Sequence, residues 1–174
     1  GSWAARDGAG RFHAFAVHGI WLQHWTGGPD GRWSAPRTSP VPEPLRPVLT
    51  TLPDPRGDVV LVAQSLDGRR ILLRRQRDGH AWPERFTPVN APAGIQVGTP
   101  SAVFDQRGRL LVATQVADRG VCVRAVEVER DWQCLGGRDV QDGVAAVLGA
   151  DQRVHLFAWA PEGILHWQED DSGG

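Results

Sequence analysis

The sequence predicts an all-β fold, a β-propeller-like array of four diverged units of about 47 residues each. No segment keeps a helical period over ten or more residues, and 13 prolines and 21 glycines interrupt the chain. Short runs rich in β-branched and aromatic residues lie between Gly, Asp and Pro, which is typical of strands. These runs also return at a nearly constant interval, as expected of a repeat architecture.

The first repeated feature is a turn followed by an apolar run. Its four copies begin at Gly10-Arg11-Phe12, Gly57-Asp58-Val59, Gly108-Arg109-Leu110 and Gln152-Arg153-Val154. Successive copies are 47, 51 and 44 residues apart. The apolar run has no polar face in the first copy, which is typical of a strand covered on both sides. Stacked propeller blades cover their inner strands in this way, so the pattern favours a propeller over a single two-layer sandwich.

Two further features follow each turn. An apolar-x-His-Trp segment ends at Trp25 in the first copy and at Trp167 in the fourth. Copies two and three hold Leu72-Leu73-Arg74-Arg75 and Cys122-Val123-Arg124-Ala125 there, with Arg75 and Ala125 in place of the tryptophan. A tryptophan about eight residues later marks the end of a fourth strand. These tryptophans are Trp33, Trp82 and Trp132. The fourth copy stops before this point, so we expect its sheet to lack the outer strand.

We therefore predict one repeat domain over residues 3–168, with units at about 3–45, 46–97, 98–142 and 143–168. Gly1 and Ser2 are expected to be left from cloning, and residues 169–174 to form a flexible acidic and glycine-rich tail. Cys122 and Cys134 are expected to be free, partly buried thiols, with a disulfide as the alternative.

Composition excludes several classes of function. The formal net charge is −1, so no bulk field attracts nucleic acid. No run of about 18 apolar residues is present, so we expect no membrane span. No phosphate loop, nucleophile elbow or zinc-protease motif occurs, so we expect neither a cofactor nor catalysis.

The best copy of the pattern runs from Asp7 through Gly10-Arg11 to His24-Trp25 and on to Gly31-Arg32-Trp33. This pattern resembles the bacterial fucose-binding propeller lectins and the tachylectin-type propellers. The resemblance implies shallow sugar pockets between neighbouring blades, lined here by Trp25 and Trp167.

Other residues are candidates for the same binding role. Trp21 and Trp159 lie outside the repeated columns and are expected to be exposed. His24 and His166 are equivalent, as are His13 and His155, and hydrogen-bonded histidines are favoured here over a metal site. Arg75 belongs to an arginine cluster that suits either a carboxylate or phosphate ligand, or a solvated edge.

These patterns favour a non-catalytic, carbohydrate-binding module with a glycan as its partner. The alternatives are a protein-interaction or sensor propeller within a larger protein, and an accessory domain beside a hydrolase. An unpaired last strand also favours a second copy that covers the open edge of the fourth sheet, giving a homodimer. The alternatives are native sequence after Gly174 that supplies the missing strand or further blades, and a ring that closes on four blades with the edge capped by the acidic tail at residues 169–171.

Overall fold

The computed structural model describes residues 3–79, 81–137 and 139–170, and these residues form only β-strands, turns and bends. Gly1 and Ser2, and residues 171–174 of the predicted tail, lie outside the described residues. The all-β, propeller-like class predicted from the sequence is confirmed. In this part of the chain there is no helix of the length and apolarity that a membrane crossing needs.

The chain divides into two compact units, residues 1–90 and 91–174. The first unit contains two antiparallel four-stranded sheets, each with its strands in chain order. Sheet 1 consists of β1 (Ala4–Arg6), β2 (Phe12–His18), β3 (Trp21–Gly27) and β4 (Arg37–Pro40). Sheet 2 consists of β5 (Thr50–Pro53), β6 (Val59–Gln64), β7 (Ile71–Arg75) and β8 (Thr87–Val89).

The second unit also contains two sheets. Sheet 3 consists of β9 (Gln96–Phe104), β10 (Leu110–Val116), β11 (Gly120–Ala125) and β12 (Gln133–Gly136). Sheet 4 consists of β13 (Gln141–Leu148), β14 (Val154–Ala160) and β15 (Gly163–Gln168). Within the described residues sheet 4 therefore has three strands, as the sequence predicts.

An aspartate fixes the turn between the first two strands of sheets 1, 2 and 3. In sheet 1, the Asp7 carboxylate accepts hydrogen bonds from the backbone N–H groups of Ala9 (3.0 Å) and Arg11 (2.9 Å). Asp54 and Asp105 make the same two bonds in sheets 2 and 3. A short carboxylate that pairs with the backbone two and four residues ahead fixes the turn locally, which is why this signal is readable in the sequence.

Within each unit, one face of a sheet packs on one face of the next. We call the face of a sheet that packs on the following sheet its back, and the opposite face its front. In the first unit, the back of sheet 1 contributes Phe15 and Leu22 to a buried cluster, and the front of sheet 2 contributes Val59, Leu61 and Leu72. In the second unit the back of sheet 3 packs on the front of sheet 4 through a second cluster. Its buried members are Ala113, Val121, Val140, Val144, Val154, Leu156 and Ala158.

Two expectations of the sequence analysis are wrong. Trp33, Trp82 and Trp132 precede the outer strands rather than ending them, because these residues lie in the connections that lead to β4, β8 and β12. Cys122 and Cys134 are not free thiols but form a disulfide. The twelve-residue spacing spans the β11–β12 connection and places the two cysteines directly opposite each other.

Candidate functional site

The strand register corrects the alignment of the tryptophan column. Trp25 pairs with Ala14 and Trp167 with Leu156, each three residues beyond the repeated turn. The residues at the same register position in sheets 2 and 3 are Arg74 and Arg124, not Arg75 and Ala125. The hairpins differ in length, with two residues between the last paired positions in sheets 1 and 4, six in sheet 2 and three in sheet 3. The assignment of Arg75 and Ala125 to the tryptophan column is therefore one residue out of register in each of these two sheets.

A groove of about 270 Å³ lies between the back of sheet 3 and the front of sheet 4. Leu111, Val123 and Leu135 form its wall on sheet 3, while Leu156 and Trp167 form its wall on sheet 4. The volume is close to the lower end of about 300–1,000 Å³ for small-molecule sites, so it suits a ligand of about one ring.

Gly137 sets the position of the Trp167 indole. A Cβ atom at residue 137 would lie 3.1 Å from Cη2 and Cζ2 of Trp167, so the ring rests directly on the glycine backbone. Gly137 also has a φ of +78°, a conformation that favours glycine. The rest of the ring packs against the second buried cluster and leaves part of its surface on the groove.

The rim of the groove contains charges of both signs. The Arg109 guanidinium lies 2.6 Å from Asp105 and 3.7 Å from the Glu169 carboxylate. Glu169 also accepts the backbone N–H of Val154 at 3.2 Å, which holds its side chain at the mouth of the groove. An arginine and a carboxylate beside an aromatic wall provide donors, acceptors and an apolar platform within one small site.

The equivalent space in the first unit is filled by Trp82. This side chain lies on the back of sheet 1, with its ring centroid 5.1 Å from Phe15, 5.2 Å from His24 and 5.8 Å from His13. The equivalents of His13 and His24 in sheet 3 are Leu111 and Val123, which form the wall of the groove. The interface between the two sheets of a unit is therefore filled by one aromatic side chain in the first unit, whereas the corresponding interface in the second unit contains an open groove.

The predicted histidine pairs form two equivalent hydrogen-bonded chains. In sheet 1, His13 contacts Asp7 through Nε2 (3.0 Å) and His24 through Nδ1 (2.9 Å). In sheet 4, His155 contacts Asp151 through Nε2 (3.0 Å) and His166 through Nδ1 (2.8 Å). A carboxylate accepts but does not donate, so in the neutral pair the middle histidine gives its Nε2 proton to aspartate and accepts from the other ring. Each carboxylate therefore orients two imidazoles. Among the described residues no group of three or more potential ligands is arranged to hold a metal ion.

The predicted site residues do not converge on one place. Trp167 lines the groove, but His166 points to the opposite face of β15, as the alternation of a strand requires. Trp25 is half-buried on the front of sheet 1, where Trp21 is 45% exposed. Trp159 is 59% exposed on the back of sheet 4.

Arg109 and Glu169 lie at the groove although neither was predicted as a binding residue, whereas the predicted binding residue Arg75 lies elsewhere. Arg75, at the end of β7, is half-buried in the first unit and does not line the groove. Arg109 carries no separate signal in the sequence because it belongs to the repeated turn. Glu169 carries none because it lies at the start of the predicted tail. The contact between their side chains joins residues that are 60 positions apart.

His24 makes the stability of the protein depend on pH. Burial, together with repulsion from His13, Arg74 and Arg37, lowers the pKa of His24 from 6.5 to about 4. The unfolded chain therefore takes up this proton near pH 6.5, while the folded protein resists it until about pH 4. The free energy of unfolding is thus highest above pH 6.5 and decreases as the pH falls towards 4, by about 2 kcal/mol for a partly screened ring.

Urea unfolding of the wild type and of His24→Gln at about pH 7.5 and about pH 4.5 checks this expectation. The difference between the two pH values should shrink in His24→Gln and persist in His166→Gln, which changes the equivalent exposed ring of sheet 4. Equal pH dependence in the wild type and His24→Gln would show that His24 does not carry the effect.

No model of a known protein family matches the chain, and no curated protein matches it. Solved structures with similar folds do exist. A protein of unknown function from Dyadobacter fermentans is 18% identical, with a TM-score of 0.63 over 95% of this chain and 51% of its own. The NanB sialidase from Streptococcus pneumoniae is 12% identical, with a TM-score of 0.62 over 89% of this chain and 26% of its own. The GH43 beta-1,3-galactosidase BT3683 is 11% identical, with a TM-score of 0.62 over 98% of this chain and 72% of its own. The chain spans about half the length of the Dyadobacter protein, and these similarities show the fold.

Proposed function

We propose that this chain is a non-catalytic carbohydrate-binding module, and that the groove between sheets 3 and 4 holds one sugar ring. The observation that carries the proposal is the difference between the two sheet–sheet interfaces. Trp82 fills the interface of the first unit, whereas that of the second unit is open. The open interface has an indole on one wall and an arginine–carboxylate pair at its mouth.

The chemistry of the groove suits a sugar better than a fully apolar ligand. A pyranose ring has a face of C–H bonds, which packs on the negative face of an indole, and a periphery of hydroxyl groups that both donate and accept. Trp167 offers the first contact, while Arg109 and Glu169 offer donors and acceptors to adjacent hydroxyls. Two of the similar solved structures are a sialidase and a galactosidase, which supports a carbohydrate as the class of ligand.

We propose binding without catalysis because the Glu169 carboxylate at the mouth of the groove already interacts with other groups of the protein. Glu169 lies 3.7 Å from Arg109 and accepts the N–H of Val154, so both contacts already engage its carboxylate. Asp131 and Asp170 also line the groove. Hydrolysis of bound glycan would contradict this part of the proposal.

A glycan array probed with the labelled full chain tests the proposed function. We expect binding to glycans that share a terminal sugar, competed by the free monosaccharide, with the bound glycan recovered intact. The absence of any glycan that binds above background and is competed by its own sugar would overturn the proposal.

A further inference from the structure

The back of sheet 4 repeats the back of sheet 1 but is not covered. Leu22 and Ile164 are equivalent by register, yet Leu22 is fully buried and Ile164 is 65% exposed. Phe15 is 3% exposed, whereas its equivalent Phe157 is 36% exposed. Trp159 also lies on this face and is 59% exposed. A contiguous apolar face of this kind on a soluble protein marks an interaction surface.

The first unit shows what covers such a face. The back of sheet 1 presents the aromatic stack of Phe15 on His24, with ring centroids 4.4 Å apart, and sheet 2 packs on it with its front. Sheet 4 presents the same stack in Phe157 and His166, with centroids 4.7 Å apart. Because the backs of sheets 1 and 4 present the same aromatic stack, we expect the same kind of partner for both, which is the front of another sheet.

The front of sheet 1 provides that partner surface. Within the first unit no sheet covers it, and it exposes Phe12 (43%) and Trp21 (45%). Its residues occupy the register positions that the front of sheet 2 uses against sheet 1, with Phe12 in the place of Val59. The charges of the two faces are also complementary. On the front of sheet 1 the Arg6 guanidinium lies over Phe12 beside the turn, while in the equivalent turn of sheet 4 the Asp151 carboxylate is 45% exposed.

We propose that the front of sheet 1 of one copy packs on the back of sheet 4 of a second copy. The contact repeats the front-to-back packing of sheets that each unit already contains, and it buries Trp21, Trp159 and Ile164. It joins two different faces and is therefore heterologous, so each copy has one face of each kind. This surface is a face of sheet 4 and not the open edge at β15 that the sequence analysis considered.

Sedimentation velocity over a range of concentrations tests the proposal with the full chain. The wild type should form species heavier than one chain of 19.0 kDa. Ile164→Glu on the back of sheet 4 and Trp21→Glu on the front of sheet 1 should each weaken assembly at least tenfold. Both side chains are exposed, so circular dichroism and the melting temperature should stay close to those of the wild type. Leu66→Glu changes a residue that is 60% exposed in a hairpin, on neither face, and should assemble like the wild type.

Mixing the two variants gives the sharpest result. An equimolar mixture of Ile164→Glu and Trp21→Glu should recover two-chain species, because each copy supplies the face that the other has lost. Both substitutions introduce a negative charge, so the mutated faces cannot attract each other. A wild type that remains at 19.0 kDa at every concentration would overturn the proposal. So would a mixture that stays monomeric, or Trp21→Glu assembling like the wild type, which would indicate that sheet 4 pairs with itself.

Discussion

Replacing Trp82 by alanine is expected to lower the free energy of unfolding by about 3–5 kcal/mol. Its indole packs against the first buried cluster and lies edge-on to Phe15 and His24. The substitution would leave a void between sheets 1 and 2 that these rings cannot fill without moving, so both the lost contacts and the cavity destabilise the protein. Urea unfolding monitored by circular dichroism measures the loss.

Trp33→Ala is the matched control for Trp82→Ala. Trp33 lies in the β3–β4 connection, which corresponds to the β7–β8 connection that holds Trp82, but it is 52% exposed, so its removal should cost less than about 1 kcal/mol. Equal losses of unfolding free energy in the two variants would contradict the assignment of Trp82 as the side chain that fills the interface between sheets 1 and 2.

Asp7→Ala should destabilise the protein by a similar amount, about 3–5 kcal/mol. Its side chain is fully buried and lies 2.7 Å from Arg11 and 3.0 Å from His13, in addition to capping the turn. Burial alone would raise the pKa of Asp7, but the hydrogen bonds from His13 and Arg11 outweigh it and lower the pKa below 3.8. Removal of the carboxylate takes one acceptor from Arg11, which still donates to the Gly79 carbonyl, and it removes the acceptor of the His13 ring and of the backbone N–H groups of Ala9 and Arg11.

Asp151→Ala is the control for Asp7→Ala. Asp151 binds His155 as Asp7 binds His13, but its side chain is 45% exposed, so water replaces the lost acceptor. We expect a much smaller loss than for Asp7→Ala in the same urea measurement. A large loss in Asp151→Ala together with a small loss in Asp7→Ala would show that burial is not what makes this interaction strong.

The fold was predictable because its signals are local. The turn that Asp7 fixes, and the apolar runs on either side, lie within about a dozen residues, so their recurrence is visible without any knowledge of long-range contacts. The register of the later strands was not predictable in the same way. Ala14 and its partner Trp25 are 11 positions apart, whereas the equivalent pair Leu61 and Arg74 are 13 apart, and nothing in the apolar pattern indicates where the two additional residues lie.

The candidate site was only partly predictable. Trp167 stood out because it repeats Trp25, although the groove exists only beside Trp167. Arg109 and Glu169 come together through the packing of sheet 4 on sheet 3, which no local pattern encodes. The free thiols were predicted wrongly for the same reason, since Cys122 and Cys134 meet only when β11 and β12 pair.

A titration of intrinsic tryptophan fluorescence with the monosaccharide selected on the array tests the central claim most directly. The account predicts a saturable change in the wild type that persists in Trp33→Ala and is lost in Trp167→Ala, with Trp167→Ala still folded by circular dichroism. An unchanged binding curve in folded Trp167→Ala would contradict the account, because the sugar would then bind somewhere other than the groove between sheets 3 and 4.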